Sequence, residues 1–135
     1  MNRTVTLLAR LLLAQVFLMA GLAKLGSGYA ATQDYMQTMG VPGALLPLVI
    51  LLEIGGGLTL IIGAFTRWTA LVLAGYSVLA ALIFHHNIAD RTQMTLLLSD
   101  LAIVGGLLLL YAYGAGELSV DARRLGQQAA QLRAR

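Results

Sequence analysis

Residues 45–65 read LLPLVILLEIGGGLTLIIGAF, a stretch whose one charged side chain, Glu53, stands near its middle. A helix needs about 20 mostly apolar residues to cross the hydrocarbon core of a bilayer. A soluble core helix has no use for so long an apolar run. Pro47 falls in the first turn, where a missing N–H is tolerated. Outward from this stretch, residues 7–25, 68–84 and 94–113 are apolar blocks of the same kind. The 135 residues are 59% hydrophobic and 11% charged, with mean hydropathy +0.80. Soluble domains carry about 25% charged residues, so this chain has too few to cover a water-facing surface. It is expected to be an all-α integral membrane four-helix bundle. Residues 1–116 form the four-span domain and residues 117–135 a basic tail.

The first block follows a basic N-terminus and runs into small residues, as a signal peptide does. It is longer than the roughly 7–15-residue signal core and precedes three more spans, so a retained helix is expected. Residues 28–40, GYAATQDYMQTMG, are too polar to cross the bilayer. Tyr35, Met36 and Met39 recur there at helical spacing, which predicts a short amphipathic helix on the outer surface between spans one and two. Thr66-Arg67 forms a tight link between the second and third spans. After the fourth, Gly114-Ala115-Gly116 breaks the helix, and Ser119 caps a short surface helix.

With the N-terminus inside, Arg3, Arg10, Arg67, Arg123, Arg124, Arg133 and Arg135 lie inside, and Lys24 and Arg91 outside. That asymmetry predicts cytoplasmic N- and C-termini. It also explains the net charge of +3 as topology rather than nucleic-acid binding. Trp68 and Tyr113 fall at the inner boundary, and Arg67 beside them is a topology anchor rather than a ligand residue. For packing, Gly55, Thr59 and Gly63 form a small-residue stripe on the second span. Ala70, Ala74, Ser77 and Ala81 do so on the third, and Ala102 with Gly106 on the fourth.

The ionisable residues collect at one depth. Glu53 lies six residues past Pro47 and Asp100 six past Met94, so each sits about 9 Å below the outer boundary. Lys24 and His85-His86 end the ascending spans, and Arg10 snorkels inward. A charged Asp at a helix centre costs roughly 2.5–3.5 kcal/mol even on insertion scales. Glu53 and Asp100 must therefore face the interior and be protonated, paired or ligated. One reading is a polar cluster of Lys24, Glu53, His85, His86 and Asp100 that fixes helix register. Another is a small outward-opening pocket whose acid–base groups serve a ligand. Metal binding is the weakest reading, because adjacent histidines on a helix point about 100° apart, so no metal is expected. With no cysteine there is no thiolate, disulfide or iron–sulfur ligand. The chain carries no intrinsic cofactor in this reading, and electron chemistry needs a bound organic cofactor, a metal on His or carboxylate ligands, or a partner subunit.

The order GLAKLGSGYAATQDYMQTMGVPGALLPLVILLEIGGGLTLIIGAFTRWTALVLAGY, FHHNIAD, LAIVGGLLLL and GAGELSVD resembles the DoxX family of small four-helix bacterial inner-membrane proteins. The resemblance covers residues 11–121 and implies positions already noted: Lys24, Glu53, Thr66-Arg67 and Phe84-His85. It implies a location in the bacterial inner (plasma) membrane. The family takes its name from a small membrane subunit of a quinone-linked oxidoreductase. Members usually carry Lys-Asn at the start of the AIxGG helix, where this chain has Ser99-Asp100. An anion replaces a cation there, so Asp100 needs another partner.

Three functions follow as expectations. One is an accessory subunit of quinone-linked or oxidative-stress metabolism, with quinone as the candidate cofactor and a redox subunit as partner. Another is a non-enzymatic scaffold docking such a partner through residues 28–40 and the tail. The third is a small-molecule or proton carrier, which at this size would require a homo-oligomer.

Overall fold

The computed structural model describes residues 2–134, and no strand occurs among them. Helix α1 (Arg3–Ala23) is opened by Asn2, whose side-chain oxygen accepts the Thr4 N–H at 3.0 Å. That cap satisfies an orphan donor and starts the helix at Arg3 rather than residue 7. Lys24 closes it. A short α2 (Gly28–Thr38) and a 3-10 turn (Gly43–Leu45) lead into α3 (Leu46–Ile62). Then come α4 (Thr66–Phe84), α5 (Arg91–Tyr113) and α6 (Val120–Arg133). Helices α1, α4 and α5, and α3 with its leading turn, are long and apolar enough to span a membrane. Asp90 caps α5 by accepting from Gln93 N at 3.0 Å. Ser119 Oγ caps α6 by accepting from Ala122 N at 3.1 Å.

Each span packs on its chain neighbour: α1 on α3, α3 on α4 and α4 on α5. The α1–α3 and α4–α5 seams are extensive, while a thin α5–α1 seam closes the ring. All four contribute to one core, with Ala14 and Phe17 from α1, Leu60 from α3, Leu73 and Ala74 from α4, and Leu107 and Leu110 from α5. Helix α5 is the least buried of the four. Two ends result. The terminal face gathers Arg3, the α3–α4 link and α6. The far face gathers Lys24, α2 and the α4–α5 loop. There Tyr35 of α2 stacks on Phe84 of α4 with ring centroids 5.5 Å apart, and Met36 turns inward and is buried.

The spans also differ in detail from the sequence reading: α4 starts at Thr66 rather than residue 68 and α5 at Arg91 rather than residue 94. The α3 helix ends at Ile62 rather than Phe65, because Gly63 (φ 69°) and Phe65 (φ 50°) both turn left-handed. The close helix approach on α3 is made by the glycines after Gly55. A Cβ on Gly57 would lie 2.6 Å from Leu18 Cγ, and one on Gly56 2.9 Å from Leu73, whereas Gly55 faces open space. The predicted α4 stripe of Ala70, Ala74, Ser77 and Ala81 is buried.

Candidate functional site

On the far side of α3, Glu53 is 3% exposed. Helix α1 reaches it because Gly21 has no side chain; a Cβ there would stand 3.2 Å from Glu53 Cβ. Lys24, just past the end of α1, folds back over the helix. Its Nζ donates to Glu53 Oε1 at 2.9 Å, to Oε2 at 2.8 Å and to Ala20 O at 3.1 Å. From α4, Tyr76 donates its hydroxyl to Oε1 at 2.6 Å. Both carboxylate oxygens are thus engaged, and three helices meet on one side chain. Charge-assisted bonds of this kind are roughly twice as strong as neutral ones.

The other acid sits apart, on the α4–α5 seam. His85 presents Nε2 to Asp100 Oδ2 at 3.7 Å and Nδ1 to Gln93 Oε1 at 3.2 Å. These side chains are 24% and 26% exposed for His85 and Asp100. His85, at the end of the neighbouring helix, is thus the basic side chain within salt-bridge distance of Asp100. His86 does not join the cluster: it is exposed, and its Nδ1 meets the Ile83 carbonyl at 2.8 Å. Consecutive residues on a helical end diverge in direction, so only one of the two histidines can face inward. The five expected residues resolve into a tight Lys24–Glu53 pair, a looser His85–Asp100 pair and an outlier. Among the described residues no group of three or more His, Cys, Asp or Glu side chains could hold a metal ion.

The terminal face holds what sequence reasoning missed. Arg10 is 1% exposed instead of snorkelling to the headgroups. Its guanidinium donates to Ala115 O at 2.6 Å, Leu118 O at 2.8 Å and Ile61 O at 3.2 Å. Asp121 accepts from Phe65 N at 2.8 Å and Thr66 N at 2.9 Å, and its own N–H donates to Gly63 O at 2.9 Å. The left-handed Phe65 costs roughly 1–2 kcal/mol, and these two bonds hold it there. Arg3 pairs with Glu117 at the surface. Arg67 is exposed at this face. Arg135, counted with the inner cations, lies outside the described residues.

Two grooves stand out, and neither lies over Glu53. An apolar one of about 460 Å³ runs between α3 and α4, lined by Leu51, Gly55, Trp68 and Val72 among others. A second of about 790 Å³ opens on the terminal face between the start of α4, the end of α5 and α6.

A DoxX family model matches residues 5–86. The inner membrane protein YqjF of Escherichia coli is 50% identical over 115 residues, 85% of this chain and 88% of that protein. The inner membrane protein YphA of Escherichia coli is 30% identical over 124 residues, 87% of this chain and 88% of that protein. No solved structure matches the chain.

Proposed function

Because the chain belongs to the DoxX family and is an inner-membrane protein with four apolar helices, we propose that it is a non-catalytic accessory subunit, a platform holding a partner of quinone-linked or oxidative-stress metabolism. The commitment of Glu53 carries this reading. Its oxygens are taken by Lys24 and Tyr76 of the same chain, and neither groove reaches it. A general acid or base has to exchange hydrogen bonds with its substrate, whereas a saturated carboxylate clamps helices. The proposed orientation, both termini cytoplasmic, rests on the arginines of the terminal face. It puts α2 and the His85–Asp100 pair outside as the docking surface.

A photoreactive residue in place of Tyr35 on α2 tests it, with Leu109 on α5 as the control, both in native membranes. The expected result is one adduct, formed only from the α2 position, whose partner carries flavin, haem or quinone absorbance. Identical adducts from both positions, or none, would sink the platform.

A second reading is favoured by the His85–Asp100 separation of 3.7 Å, wide enough to admit a competing hydrogen-bond partner. A quinone headgroup takes donors of this kind beside an apolar slot. Hydroquinone titration followed by thermal shift should then saturate and be lost in His85→Ala; a response unchanged by that substitution rules the site out.

A further inference from the structure

Both principal grooves share one residue, Trp68, the sole tryptophan of the chain. On one side of it lies the apolar α3–α4 groove, open towards the surrounding lipid. On the other lies the terminal-face groove, whose lining includes Arg67, Arg124 and Tyr113. Arg67, Arg124, Glu117 and Asp121 line that second groove, two cations and two anions, and Arg3 and Arg10 beside the two acids leave the face net positive. Its acids are occupied, Asp121 by two backbone N–H groups and Glu117 by Arg3. Neither Arg67 nor Arg124 has a carboxylate partner among the described residues; Arg124 rests over the Phe65 ring at 4.8 Å. Thr66 lines the same groove and is 0% exposed, and its hydroxyl has no hydrogen-bond partner. An unpaired buried hydroxyl is costly, and this one belongs to a residue of the same groove lining as Arg67 and Arg124.

Helix α6 closes the groove with complementary chemistry. Ala122, Leu125, Ala129 and Leu132 fall on one face at helical spacing, and Leu125 and Leu132 are exposed. Arg123 and Arg124 flank that face. A short helix of this pattern lies in the plane of an anionic membrane surface with its apolar side in the acyl boundary. Basic pockets between spanning helices at that level hold acidic headgroups.

We propose that the terminal face binds an anionic phospholipid, its phosphate between Arg67, Arg124 and the Thr66 hydroxyl, and one acyl chain in the α3–α4 groove beyond Trp68. The site is independent of the platform function and of which way the bundle faces.

Trp68 reports occupancy directly. The full chain is reconstituted in phosphatidylcholine vesicles containing a small fraction of phosphatidylglycerol brominated on its acyl chains, or the same fraction of brominated phosphatidylcholine. Brominated phosphatidylglycerol is expected to quench Trp68 several-fold more effectively. Arg67→Gln combined with Arg124→Gln should remove that preference, at about fivefold per arginine lost. Both side chains are exposed, so the fold tolerates the change, and helical content by circular dichroism checks it. Arg67→Lys should keep most of the preference and Thr66→Val should weaken it by a smaller factor. Inorganic phosphate added to the buffer should leave quenching unchanged. Equal quenching by the two lipids overturns the proposal, as does a preference that survives the double substitution. If inorganic phosphate abolishes the preference, the groove takes free phosphate, and the lipid site is wrong.

Discussion

Each end of the bundle holds a cation, half-buried Lys24 at the far end and buried Arg10 at the terminal end, and the two ends neutralise it differently. At the far end Lys24 meets a full negative charge, Glu53, with Tyr76 supplying one more bond. At the terminal end Arg10 hydrogen-bonds only to carbonyl oxygens, from the end of α3 and the segment between α5 and α6, while the Asp121 carboxylate acts on its charge without a hydrogen bond. The first solution is a matter of side-chain identity: remove the anion and the cation is stranded. The second is a matter of backbone shape, because those carbonyls converge only if Gly63 and Gly116 take left-handed turns. Charge can thus be stabilised in a membrane protein by helix-end dipoles as well as by counter-ions.

Substitutions can break that contrast. The largest effect is expected from Glu53→Leu, which leaves Lys24 half-buried and unpaired and should cost about 3–5 kcal/mol. Adding Lys24→Leu should restore most of it, because removing both partners is far less damaging than removing one. Reversible unfolding in mild detergent gives both values; additive losses would mean the pair is not coupled. Next comes Arg10→Lys, expected at about 2–3 kcal/mol, since a point charge cannot fork to three carbonyls as a guanidinium does. Hydrogen exchange should rise in α6 and the α3–α4 link and stay unchanged around Glu53. Uniform loosening would deny that the two ends are separate.

Gly63→Ala should be next, at about 2 kcal/mol. Its Cβ would stand 2.5 Å from Ser119 Cβ and 2.7 Å from Arg10 Nη1, at φ 69°. Gly55→Ala, where a Cβ meets open space inside α3, should be neutral or slightly stabilising because Ala is the better helix former; losing as much there would show that the Gly63 loss is not specific to the terminal face. The smallest is Tyr76→Phe, expected to cost about 1 kcal/mol because Lys24 still engages both Glu53 oxygens. A loss comparable with Glu53→Leu would make the tyrosine, rather than the lysine, the main partner.

Much of the far end was legible. Apolar blocks fixed the spans, and the rise per residue put Glu53 and Asp100 at one depth, which left Lys24 and His85 as partners for two acids. Tyr76 was missed although a tyrosine well inside a span is itself a signal, since its hydroxyl needs an acceptor there. Depth alone also grouped His86 with the cluster, because it says nothing of azimuth around the helix. The terminal end was barely legible. Carbonyl acceptors exist at every residue, and nothing in a side-chain sequence marks which three will converge on Arg10. Gly114–Gly116 signalled a turn, but a turn signal does not specify what the turn encloses, and Gly63 reads in the sequence as part of a packing stripe rather than as the left-handed end of α3. The role of Asp121, accepting two N–H groups across the α3–α4 link, depends on that same enclosure.

The Arg10 cage has a consequence for how the chain is made. Of its three acceptors only Ile61 comes early, 51 residues after the arginine; Ala115 and Leu118 are translated 105 and 108 residues after it, and the Asp121 that fixes the link comes later still. A nascent chain therefore carries a guanidinium with at most one of its three acceptors until the segment after α5 is made. Only a complete polypeptide can close the terminal face, so a chain stopped early, or clipped before Ala115, presents a buried charge that membrane quality control can recognise.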